Sequence, residues 1–126
     1  MMMNQYKGEV KAQLGDKERT FRLTFESIVN IENSTNKSII ELTTAMSQAK
    51  YTFKDLLVIL HEGLKGAGQN VIQKAVGDMI MQSGIIKASE TAGTVLASAF
   101  TGENKGDDNP LAPAENIQKD TQSKNT

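Results

Sequence analysis

Few residues in this 126-residue chain could do chemistry: a single histidine, His61, no cysteine, and a glycine-rich run from Gly63 to Gly68. The absence of cysteine excludes disulfides, thiolate nucleophiles and thiolate metal sites. His61 is followed by Glu62, but a zinc-protease helix needs a second histidine four residues after the first, and Lys65 stands there. One histidine without a paired nucleophile gives no triad. His61 borders an apolar helical stripe and reads as a partly buried helix residue. The run Gly63-Leu64-Lys65-Gly66-Ala67-Gly68 invites a phosphate loop, yet Gln69 and Asn70 occupy the places of its lysine and hydroxyl residue. It also follows a helical pattern rather than a strand. It is better read as a helix stop and turn where backbones approach closely. Asp107-Asp108-Asn109 lacks the spacing and distal glutamate of a calcium loop. Glu26 and Glu32 sit on helix surfaces without the partners acid–base work requires. No catalytic, cofactor-binding or metal-binding residue is expected, and no enzyme.

The elements that carry these residues follow from hydrophobic period. Tyr6 to Leu14 alternates, with Val10, Ala12 and Leu14 on one side, and Arg19 to Phe25 alternates with Phe21, Leu23 and Phe25. Gly15-Asp16-Lys17 between them supplies hairpin turn chemistry. Two strands alone are marginal in water, so the hairpin must lie on an apolar layer.

After Phe25 the period becomes helical. Phe25, Ile28, Val29 and Ile31 describe a short helix that ends at Asn33-Ser34-Thr35-Asn36. Ser38 and Glu41 form a capping box for a second helix lined by Ile39, Leu42, Ala45, Met46 and Ala49. Thr52 and Asp55 repeat that logic for a third, whose inward stripe is Phe53, Leu56, Leu57, Leu60 and Leu64. Asn70 is the expected cap of a fourth, with Val71, Ala75 and Met79 inward. Gly84 separates it from a fifth, Ile85 to Phe100, facing inward through Ile85, Ala88, Ala92, Leu96 and Ala99. The expected architecture is α+β and mainly helical, an N-terminal hairpin followed by about five short helices.

Residues 1–5 read as a flexible start, 6–101 as one domain and 102–126 as a disordered polar tail, whose only large aliphatics are Leu111 and Ile117. Such a segment buries too little apolar surface to offset its chain entropy. Neither a signal-peptide core nor a membrane-length apolar stretch is visible, which points to the cytoplasm. The net charge of −1, with interspersed signs, leaves no footprint for nucleic acid or anionic lipid. The turn at Gly66 to Gly68 superficially resembles a helix-turn-helix, but Val71 to Gln82 carries Lys74 as its one base and Asp78 to repel phosphate.

Three stretches together resemble a known family: Gly8-Glu9-Val10, the segment from Leu23 to Glu32, and Leu56 to Gly68. They look like the small tail protein of gene transfer agents and related siphophages, labelled either a tail tube protein or a tail assembly chaperone. The likeness covers about residues 6–101, and its motif positions are Leu23, Phe25, Glu32, Gly63, Leu64, Gly66 and Gly68. It implies partners among tape measure or other tail proteins, a possible homo-oligomer, and work in the bacterial cytoplasm or the assembled tail. Tube proteins, as the resemblance has it, build ring walls from many strands, and this chain offers two. The expectation is therefore a chaperone that coats the helical tape measure, with a retained structural tail subunit as the alternative. The strand edges of the hairpin, and a groove formed by Val58, Ile59, Ile72 and Ile86, are the expected partner contacts; the alternative reading is that these four side chains simply widen the domain's own core.

Overall fold

A computed structural model describes residues 8–101. The expected flexible start at 1–5 and the polar segment 102–126, with Asp107-Asp108-Asn109, lie outside the described residues. Strands β1 (Val10–Leu14) and β2 (Lys17–Phe21) pair antiparallel, with Leu14 opposite Lys17, so the loop is the two residues Gly15 and Asp16. Gly15 takes a φ of 72° and Asp16 does not turn positive, the type II′ pattern that matches strand twist. Leu14 and Phe21 are fully buried, and Val10 and Ala12 pack against the same core.

Both strands are shorter than their alternating patterns predict. Gly8, at a φ of 81°, holds a turn ahead of β1. β2 ends at Phe21 because the next backbone amide, that of Arg22, donates to the carbonyl of Gly63 at 2.9 Å. Thr24 and Ser27 then cap each other's backbone and open helix α1 (Phe25–Thr35). Leu23 and Ile28 both pack on the core, at the two positions of a hydrophobic staple. Alternation through Phe25 was thus a coincidence of composition, overridden by the cap.

Four more helices follow: α2 (Ile39–Ser47), α3 (Phe53–Gly66), α4 (Gln73–Ser83) and α5 (Ile85–Thr101). The expected boxes at Ser38–Glu41 and Thr52–Asp55 are both formed. Glu32 reaches out of α1 to accept from the amide of Ile39 at 2.9 Å, adding a second carboxylate to the start of α2. Lys37 meets the buried Asp55 at 2.7 Å and fastens the α1–α2 turn to the start of α3. Asn70 does not cap α4. The carbonyl of Val71 is held by His61, and the chain turns helical only past Ile72, an N-cap with no side-chain hydrogen bond.

Helix α3 is the hub, packed by α1, α4, α5 and β2. Buried positions consequently run around most of its circumference: Asp55, Leu56, Val58, Ile59, Leu60, Glu62, Gly63 and Leu64. A helix apolar on most sides is a central one. The result is an α+β fold of five helices with a two-stranded sheet, the sole sheet among the described residues, packed on α3, α4 and α5.

α2 ends with the bonds of a Schellman motif, Lys50 N–H to Ala45 and Ala49 N–H to Met46, which force the exposed Ala49 to a φ of 56°. Its Cβ is strained there. Ala49→Gly is expected to raise the unfolding free energy by about 1 kcal/mol, read by urea denaturation with an unchanged slope.

Candidate functional site

The glycine-rich run brings two backbones into close contact. Gly63 and Gly66 stand one turn apart on α3, facing the stretch that joins β2 to α1. A Cβ on Gly66 would collide with the carbonyl oxygen of Arg22 and come within 2.9 Å of the Ser27 hydroxyl. One on Gly63 would lie 3.1 Å from the Phe21 ring and 3.3 Å from Val95. The Gly63 carbonyl takes the Arg22 amide, and the Ser27 hydroxyl donates to the Glu62 carbonyl at 3.4 Å. Glycine is required here by proximity, as the run's composition implied.

The same run carries α3 to its end. Gly68 (φ 91°) closes a Schellman motif, its amide bonded to Lys65 and that of Gln69 to Leu64. The end presented is therefore a carbonyl end, where the helix dipole is negative and repels phosphate. Around the seam, Glu62 is buried and accepts from Asn30 Nδ2 at 3.2 Å and from Lys65 Nζ at 3.4 Å. These contacts hold the carboxylate in place. His61 is half-buried and donates through Nε2 to the Val71 carbonyl at 2.8 Å, because a carbonyl can only accept. It ties α3 to the segment before α4. Among the described residues, no three His, Cys, Asp or Glu side chains gather as metal ligands would. No helix there is long and apolar enough to cross a membrane. Lys74, the base of the fourth helix, pairs with Asp78 at 3.5 Å.

The expected partner groove does not assemble. Val58 and Ile59 are 2% and 0% exposed and belong to the core, because α3 is packed on faces that a single-stripe reading leaves to solvent. Ile72 and Ile86 do lie at the surface, 69% and 68% exposed. They sit near opposite ends of α4, whose eleven residues span about 16 Å. Two of the four residues are thus removed from the site, and the other two stand apart.

Other large apolar residues lie at the surface, among them Phe25, Val29, Phe53 and Ile85, which the periodicity assigned inward. Phe25 is 84% exposed and shares an outer face of α1 with Val29, while Ile85 and Phe53 are also exposed. Ile40, Met81 and Phe100 complete the set. The signal for α1 was present in Thr24 and Ser27: a reciprocal cap fixes the first turn and puts Ser27 and Ile31, not Phe25 and Val29, towards α3. Of the remaining motif positions, Leu23 staples α1, Glu32 braces α2 and Leu64 fills the core.

The hairpin edges are partly closed. β2 hands over to α3 through the Arg22–Gly63 bond, and on the β1 side the carbonyl of Gln13 accepts from the Thr91 hydroxyl at 2.7 Å. The loop amide of Gly15 donates to Ser83 Oγ at 2.6 Å. Every exposed large apolar side chain among the described residues lies on a helix or its cap.

A family model described as phage tail tube protein, GTA-gp10, matches residues 7–102. No curated protein and no solved structure gives a significant match. The matched span contains the whole glycine seam together with the hairpin and the helix it joins.

Opposite signs are expected for two glycine substitutions. Gly66→Ala drives a methyl group into backbone and is expected to cost about 3 kcal/mol or more. Gly77→Ala places its methyl 3.9 Å from Leu57 Cδ1, ordinary contact, and gains about 0.5–1 kcal/mol of helix propensity. Thermal and urea unfolding of both variants measure the contrast.

Proposed function

Because this chain belongs to the phage tail tube protein, GTA-gp10 family, we propose that it is a tail assembly chaperone that binds the tape measure protein and performs no catalysis. Its role in phage-type tails, structural or morphogenetic, is the family's. The choice of chaperone rests on one observation: among the described residues the exposed large apolar side chains all lie on helices or a helix cap, while the hairpin is partly closed by bonds from Thr91 to Gln13 and from Arg22, just past β2, to Gly63. A wall built by strand pairing needs free edges and many strands. A surface made of helix faces suits a helical partner that presents an apolar face of its own. Acting in this way, the protein works in the bacterial cytoplasm and leaves the finished particle.

The family's own description favours a second reading, a structural tail subunit retained in the particle. The two differ in stoichiometry. Quantitative mass spectrometry of purified particles is expected to find this protein absent or far below one copy per tube subunit; stoichiometric presence establishes the structural subunit instead. In the chaperone reading, Ile72→Glu is expected to reduce co-purification with the tape measure protein at least about tenfold. Stability should change by no more than about 0.5 kcal/mol, since Ile72 is outside the core.

A further inference from the structure

One edge of the hairpin is left open, and the ladder shows which atoms it offers. A two-residue loop makes Leu14 and Lys17 a hydrogen-bonded pair, and bonded and non-bonded pairs then alternate along the strands. Gln13–Glu18 and Lys11–Thr20 are the non-bonded pairs, so the N–H and C=O groups of these residues point away from the partner strand. Two bonds agree with this. The Gln13 carbonyl accepts from Thr91 on α5, and the amide of Arg22, next in the outward row after Thr20, donates to Gly63. On β2 itself the outward groups of Glu18 and Thr20 meet no partner among the described residues. They border a cleft of about 250 Å³ whose other wall is Gln69 and Val71, with the buried Leu64 between. Each wall is fastened to α3 separately, one by Arg22 to Gly63, the other by the Gln69 amide to Leu64 and by His61 to Val71. The slot is therefore held apart by the fold and needs no ordering before it is filled.

We propose that this slot takes an extended, acidic peptide segment of another protein, added to β2 as a third strand. The contact is separate from the helix surface assigned to the tape measure and does not depend on the chaperone reading. The recognising chemistry is main-chain. Two donors and two acceptors, on residues about 7 Å apart along the strand, match the repeat of an extended backbone. A helix spends its amides within itself and cannot answer them. Charge complementarity selects the sequence. Lys17 is exposed and has no ion pair among the described residues, whereas Arg19 is occupied by the Leu14 carbonyl and Asp16. Alternation puts both side chains on the face of the sheet that carries Leu14 and Phe21. An added residue opposite Lys17 lies beside its ammonium group and is favoured when acidic. The next residue on that face, opposite Arg19, enters the cleft above Leu64 and is favoured when apolar. The charges of Lys17, Glu18 and Arg19 turn away an ordinary apolar strand. Because β1 lies against α5 on its other side, one strand can be added and the sheet then ends.

Amide NMR of the full chain, alone and with the blocked peptide acetyl-Thr-Thr-Val-Thr-Asp-Thr-amide, tests this. In the free chain the amides of Glu18 and Thr20 are expected to exchange quickly with solvent and those of Arg19 and Phe21 slowly. Protection of Glu18 and Thr20 before any peptide is added overturns the proposal, because the chain or a second copy then fills its own slot. The peptide is expected to bind with a Kd on the order of 1 mM, shifting those two amides saturably and slowing their exchange. Methylation of the two backbone nitrogens that flank the valine keeps every side chain but removes the donors facing β2, and is expected to weaken binding at least about tenfold. Lys17→Glu, at an exposed position that leaves the fold intact, is expected to bind the peptide about threefold more weakly and to prefer one with lysine in place of aspartate. No saturable shift up to about 10 mM overturns the proposal. Equal binding of the methylated peptide overturns it as strand pairing, and indifference of Lys17→Glu to the exchange of charge overturns the choice of an acidic segment.

Discussion

The structure depends on how closely the stretch from Phe21 to Ser27 can lie against α3. Gly63 and Gly66 lower that side of the helix to bare backbone, so a strand end, a connecting carbonyl and a serine hydroxyl can rest on it. From this contact the other positions follow. Phe21 is pressed into the core, β2 is ended by the Arg22–Gly63 bond, and α1 starts where Ser27 lies against Gly66. A larger residue at Gly66 would push apart the hairpin layer and the helical layer together. The glycines therefore serve geometry, and their resemblance to a phosphate loop is one of composition alone.

Much of the fold could be read from the chain because its signals were local. The capping boxes at Ser38–Glu41 and Thr52–Asp55, the turn at Gly15 and the stop at Gly68 each involve atoms a few residues apart, and each is found where expected. The hairpin-then-helices order and the tail family were legible for similar reasons, one from period and the other from a compact motif. What was not legible depended on which helix the others surround. Val58 and Ile59 look like surplus apolar residues until α3 is known to be packed by four elements. The candidate contact face failed at that point, since exposure is a property of the assembled layers and not of any one stripe.

The α1 helix shows the same limit from the other side. Size and apolarity nominated Phe25 and Val29 for the interior, and a serine holds the place instead. A close approach between two helices selects small residues at the contact and leaves the large ones to face outward. Period alone cannot tell a wide groove that wants phenylalanine from a narrow one that wants serine. Here the reciprocal Thr24–Ser27 cap carried that information, written in hydroxyl groups rather than in hydrophobicity.

The bonds that close the hairpin also set an order of events. Gly15 is held by a residue 68 positions later, and Gln13 by one 78 positions later. In a chain emerging from the ribosome, the two strands are made first but can be seated only when α5 has appeared. Until then their edges are open, and long-range closure of this kind is slow and exposed to mispairing. Short strands, bearing Lys11, Lys17, Glu18 and Arg19, suit that wait, because charge and brevity discourage pairing with a neighbouring nascent chain. The hairpin is thus fitted to the interval before the fold exists as much as to the fold itself.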